Sequence, residues 1–105
     1  MKAKIKTIDI QAKEWFDKSA GNSYFAGSVT TDFGTPTEKT WFMPFQYGYG
    51  DSYIYTALKL LNEAKITPVS STREAREQGI ILRYKIQTGC KKKDVQYIGY
   101  LAELK

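Results

Sequence analysis

Apolar residues recur with a period of two in four stretches of the chain and with a helical period in one, and those stretches set the expected fold. From Ile5 to Phe16, the positions Ile8, Ile10 and Ala12 alternate with Asp9, Gln11 and Lys13, the pattern of a strand with one buried face. Ile5 is out of phase with them, which predicts a bulge near Thr7. Asp17 to Asn22 has turn chemistry, and period two resumes over Ser23 to Thr31 with Phe25, Val29 and Thr31 on one side. The first two strands therefore form a hairpin. After Gly34 and Pro36, the alternation of Trp41, Met43, Phe45 and Tyr47 gives a third strand with those four side chains on one face. Pro44 has no amide proton for a ladder, so this strand is expected at a sheet edge.

The link Tyr47-Gly48-Tyr49-Gly50 leads to Asp51 or Ser52, either suited to accept a bond from the first free amides of a helix. Within a helix from Ser52 to Ala64, the residues Ile54, Ala57, Leu58 and Leu61 fall at i, i+3, i+4 and i+7, an apolar stripe that covers one sheet face. Ser71 and Glu74 have the spacing of a capping box ahead of Gly79, which predicts a short exposed helix. Ile80 to Gln87 reads as a fourth strand, with Ile80, Leu82, Tyr84 and Ile86 facing one way. Val95 to Leu104 fits both periods: Tyr97, Leu101 and Leu104 have helical spacing, whereas Gly99 weakens a helix by about 1 kcal/mol. With Asp94 as a cap, helix is preferred and strand is the alternative. The order predicts one α+β domain over residues 1–105. Its mostly antiparallel four-stranded sheet is covered by one main helix, with a short second helix and a C-terminal helix or strand.

Composition narrows the chemistry. A chain of 105 residues has room for one core. With no histidine and a single cysteine, Cys90, it lacks an internal disulfide and the usual zinc, haem, Ser-His and Cys-His constellations. Its eleven carboxylates occupy no motif that fixes an acid and base pair. The expectation is a protein with no catalytic residues, no metal and no cofactor. Cys90 has an electropositive setting but no base to activate it, and reads as a small residue at a strand end.

The charge balance of 16 Lys plus Arg against 11 Asp plus Glu gives +5, concentrated at Lys2, Lys4 and Lys6 and at Lys91, Lys92 and Lys93. Such clusters steer anionic partners, or else serve as solvated surface. No apolar run is long enough to cross a bilayer, and the N-terminus alternates Lys with Ile instead of carrying a secretory core. A cytoplasmic protein of a bacterial cell, with no membrane partner, is expected.

Eight Tyr, five Phe and two Trp exceed what a core of this size requires. Tyr24, Trp41, Tyr47 and Tyr49 on adjacent elements form a wall for a stacking nucleobase, with Lys91 to Lys93 holding phosphate. The same residue types anchor protein interfaces. For Trp41, Met43 and Phe45, ordinary core is the better reading. The run Phe45 to Asp51 joins a strand to a helix N-terminus, where free amides and flexible glycines receive anions. It has neither Walker nor dinucleotide-fingerprint spacing. Its structural alternative is a tight turn with Gly48 and Gly50 at positive φ and the tyrosines packed inward. The candidate ligand-binding residues are Tyr24, Tyr47, Gly48, Tyr49, Gly50, Lys91, Lys92 and Lys93.

The strings Glu14-Trp15-Phe16-Asp17-Lys18, Gly21-Asn22-Ser23-Tyr24-Phe25, Phe45-Gln46-Tyr47-Gly48-Tyr49-Gly50-Asp51 and Lys91-Lys92-Lys93-Asp94-Val95 together resemble those of small bacteriophage accessory proteins. The resemblance covers most of the chain and implies a genomic context more than a chemistry. By analogy it implies action on host machinery or host defence, through binding of a nucleotide or nucleic acid or through inhibition of a host protein. A virion assembly role, with self-association through the edge near Pro44, is the third possibility; it would make the protein a homo-oligomer.

Overall fold

The computed structural model describes residues 5–103. Its elements are β1 (Thr7–Asp17), β2 (Asn22–Thr31), β3 (Lys39–Tyr47), α1 (Ser52–Glu63), α2 (Thr72–Glu77), β4 (Ile81–Gln87) and α3 (Lys92–Glu103). The strands form one sheet in the order β3-β2-β1-β4, antiparallel except for the parallel β1 and β4 pair. This is the α+β arrangement expected from the sequence: a mixed, mostly antiparallel sheet with helices packed on it. The strand containing Pro44 lies at an edge, and the C-terminal segment is helical. No helix among the described residues is long and apolar enough to cross a membrane.

Local chemistry explains the elements. Asp17 closes the first hairpin by accepting bonds from the Ser19 hydroxyl at 2.7 Å and the Ser19 amide at 3.1 Å. On one face of the sheet, Ile8, Ile10, Phe25, Val29 and Met43 pack with Ile54, Ala57, Leu58 and Leu61 of α1, all buried. Each of these side chains larger than alanine contributes roughly 1.5–3 kcal/mol by leaving water. Ser71 caps α2 by accepting the Glu74 amide at 3.1 Å, while the Glu74 carboxylate takes the Ser70 hydroxyl.

The bulge expected near Thr7 is not in the β1 and β2 ladder, which runs in unbroken register from Ile8↔Thr31 to Asp17↔Asn22. Ile5 is out of phase because it precedes the strand; the following Lys6 amide donates to the Asp32 carboxylate at 2.8 Å. The irregularity lies in the β2 and β3 ladder, where Gly27 faces Met43 but Phe25 faces Gln46. Two steps along β2 match three along β3, so the extra residue falls in the Pro44-Phe45 stretch, where proline already denies the ladder a donor. One extra residue reverses the alternation of side chains. Trp41 and Met43 face α1, whereas Phe45 and Tyr47 cross to the opposite face. The expectation that all four share a face, with Phe45 in the core, is corrected by this bulge.

α3 packs on that opposite face. It buries Val95 and Gly99 and half-buries Ile98, while Tyr97 points outward at 62% exposure. The expected stripe is therefore corrected at Tyr97, while Leu101 is half-buried like Ile98; Leu104 lies outside the described residues. A Cβ at Gly99 would stand 2.7 Å from the Phe45 amide nitrogen and 2.8 Å from the Phe45 Cβ. The glycine that weakens the helix locally is what lets it sit against the bulge.

Candidate functional site: an aromatic row with a basic end

The bulge and the hairpin together assemble five rings. Counting outward from Asp17↔Asn22 makes Trp15 and Tyr24 cross-strand partners, and their rings stack with centroids 5.6 Å apart. Phe45 stacks on Tyr24 at 5.3 Å with the planes 6° apart, and tilts toward Trp15 at 6.4 Å. Tyr47 meets Tyr24 edge-on at 5.9 Å, and Tyr49 meets Tyr47 edge-on at 6.4 Å. Such pairs contribute about 0.5–1.5 kcal/mol each beyond area burial. Trp15, Tyr24 and Phe45 are half-buried and occupy one another's faces, so they form a rigid support. Tyr47 and Tyr49 are 60% and 66% exposed and present free ring surface. Trp41, expected in this wall, packs against the core on the other side of the sheet.

The Trp15 end of the row is basic. The Lys92 ammonium stands 5.2 Å from the Trp15 ring centre, within cation–π range. Lys91, Lys93 and Lys18 are exposed, and Trp15, Phe16, Lys18, Cys90, Lys91 and Lys92 surround an open depression of about 610 Å³. Lys91 immediately precedes α3, and Lys92 and Lys93 are its first two residues, where the helix dipole has the same positive sign. Asp94 in the first turn offsets this in part. The Ser19 hydroxyl, aided by the Ala20 and Ser19 amides and the Lys92 charge, holds the Asp17 carboxyl below the usual aspartate range against a smaller desolvation effect. Like charges gathered at a helix end that disfavours them are a local conflict of the kind found at functional surfaces.

The turn from Tyr47 to Asp51 combines two different glycine requirements. Gly50 adopts φ of 59°. Gly48 is not in the left-handed region; it is buried, and a Cβ there would lie 2.5 Å from the Phe25 ring. The reading with both glycines at positive φ and both tyrosines inward is corrected on both points. Asp51 makes no side-chain cap bond, and the Ser52 hydroxyl donates to the Tyr49 carbonyl at 2.8 Å. The amides of Gly48, Ser52 and Ile54 donate to carbonyls of Ser23, Tyr49 and Asp51. Gly48 and Gly50 thus shape the turn that presents Tyr47 and Tyr49.

Of the residues expected from sequence, Tyr24, Tyr47 and Tyr49 join one row, and Lys92 reaches its far end through Trp15, with Lys91 and Lys93 beside it. Lys6 lies at the opposite end of β1, and Lys2 and Lys4 lie outside the described residues. Sequence reasoning missed Trp15, Phe45 and Lys18 as members of this surface. The hairpin register carried the signal for Trp15; nothing local announced that Phe45 would cross the sheet. No family model, curated protein or solved structure matches the chain.

Proposed function

We propose that this protein is a non-catalytic binder of single-stranded nucleic acid, with bases stacking on Tyr47 and Tyr49 and the phosphate backbone running toward Lys18 and Lys91 to Lys93. The observation that carries this reading is the unbroken ring row with its basic end. Centroid steps of 5.6, 5.9 and 6.4 Å separate Trp15 from Tyr49. A strand of about four nucleotides, the low end of known single-strand site sizes, suits a row of this length. From the resemblance of its sequence strings to small phage accessory proteins we infer a role in an infected bacterial cytoplasm, where sequestering such a strand would serve counter-defence or redirect host machinery.

A second reading, direct inhibition of a host protein, is favoured by Tyr47, Tyr49, Tyr97 and Tyr100, each more than half exposed and of the type that anchors interfaces. Titration of a labelled oligothymidylate across a salt series tests the first reading. Replacing Lys91, Lys92 and Lys93 together by Gln should reduce the slope of log affinity against log salt by about 0.7 for each lysine that contacts phosphate. The melting temperature should change little, because relief of repulsion at the helix start offsets loss of the Lys92 contact with Trp15. Unchanged affinity and slope would assign the lysines to solubility, and absence of oligonucleotide binding would leave the protein-inhibitor reading.

A further inference from the structure

α3 covers only part of its sheet face, and beside it β1, β2 and β4 form an open groove of about 330 Å³. Cross-strand register determines the floor. Arg83 and Asp9 face each other and form a two-point ion pair, with bonds of 2.7 and 3.0 Å. The next two pairs on the same face are Gln11↔Lys85 and Lys13↔Gln87. There a neutral amide replaces the carboxylate, and the two ammoniums lie diagonally across adjacent strands. Among the described residues neither Lys13 nor Lys85 forms an ion pair. Neighbouring like charges without a counter-charge destabilise a sheet. Phe42 from β3 and Ile98 from α3 are half-buried and add apolar surface to the groove, and Ser28 adds a hydroxyl.

We propose that this groove binds a small organic anion, a phosphate or carboxylate attached to a flat apolar group. The acid lies between Lys13 and Lys85 and takes hydrogen bonds from the Gln11 and Gln87 amides and the Ser28 hydroxyl. The apolar part contacts Phe42 and Ile98. Charge-assisted bonds to an anion are about twice as strong as neutral ones, and the volume falls in the range of small-molecule sites. This site is separate from the aromatic row: none of its lining residues belongs to the row or to the basic depression.

Phenyl phosphate and benzoate, titrated separately into the protein and followed by amide NMR shifts, test the proposal. At least one probe should give saturable shifts at Gln11, Ser28, Lys85 and Ile98, and the tighter of the two identifies the preferred acid. Inorganic phosphate, which leaves Phe42 and Ile98 uncovered, should bind about tenfold more weakly than phenyl phosphate. Joint replacement Lys13→Gln and Lys85→Gln should weaken the tighter probe at least about tenfold. Replacement of Lys91, Lys92 and Lys93 by Gln should leave it unchanged, so failure here and failure of nucleic-acid binding are read separately. No saturable shift with either probe, no loss in the Lys13 and Lys85 variant, or loss in the Lys91 to Lys93 variant would overturn the proposal.

Discussion

Replacing Gly99 by alanine sets two effects of opposite sign against each other. Alanine is about 0.8–1.0 kcal/mol better than glycine in a helix interior, which favours the variant. Against this, the new methyl would lie 2.7 Å from the Phe45 amide nitrogen, 2.8 Å from its Cβ and 3.2 Å from its Cα. Ordinary non-bonded contacts are about 3.5–4.0 Å, so α3 must withdraw from β3 by about 1 Å, a gap that forfeits a quarter to a half of the dispersion energy along the seam. The obstructing atoms belong to the backbone and its first carbon, so no flexible side chain can yield. Overpacking typically costs about 1–3 kcal/mol, and with the helical gain subtracted the variant should be about 1 kcal/mol less stable. Urea unfolding followed by far-UV circular dichroism measures the difference. The near-UV spectrum should also change, because Phe45 stacks on Tyr24 and Lys92 of the same helix covers Trp15. Exposed Gln96→Ala on the same helix reports propensity alone and should be neutral or slightly stabilising. A Gly99→Ala protein about 1 kcal/mol more stable, with an unchanged near-UV spectrum, would refute the docking of α3 on the bulge.

The turn and the acid limb of stability give two further tests. Gly48→Ala pushes a methyl against the fully buried Phe25 ring and should cost about 1–3 kcal/mol in urea unfolding. Gly50→Ala has open space and only its φ of 59° to oppose it, so it should cost about 1–2 kcal/mol and leave the environment of Phe25 unchanged; a larger cost than that of Gly48→Ala would contradict the assignment. The Lys6 amide bond, then the Thr37 hydroxyl, the Thr7 amide and the Lys6 charge, lower the Asp32 carboxyl against a smaller desolvation effect. A depressed folded value contributes stability that is full above the unfolded aspartate value of about 3.9 and is lost as pH falls through the folded value. Asp32→Asn should therefore lower the neutral plateau and flatten the acid limb, with the variant and the parent converging at acid pH. An unaltered acid limb would show that these bonds do not distinguish the charged from the neutral carboxyl.

What the sequence made legible was whatever depends on local periodicity. α1 follows directly from Ile54, Ala57, Leu58 and Leu61, and the β1 and β2 hairpin follows from Asp17 to Asn22, because in both cases neighbours along the chain supply the signal. The candidate site was legible only in pieces. Tyr24 joins Phe45 and Tyr47 because a bulge shifts β3 by one residue, and a ladder defect is a property of two strands, invisible in the alternation of one. Pro44 marked an edge; its second consequence, the reversed faces, appears only with Phe25↔Gln46 in place. α3 is helical as the spacing predicts, but its seam is illegible for a related reason. A glycine at the seam scores as a helix weakness, yet Val95, Ile98 and Gly99 form the buried side because close backbone approach outweighs propensity there. The open groove is illegible in the sequence because Lys13 and Lys85, 72 positions apart in the chain, become neighbours only through the parallel pairing of β1 with β4.

Affinity for an oligothymidylate and melting temperature, measured on the same Tyr49→Ala protein, test the central claim most directly. Tyr49 is 66% exposed and touches the fold through an edge contact with Tyr47, so its loss should leave the melting temperature nearly unchanged. If a base stacks on it, binding should weaken by about 1–3 kcal/mol. Affinity equal to that of the parent, or a fall in affinity matched by a fall in melting temperature, would contradict the account and return the tyrosine turn to a purely structural role.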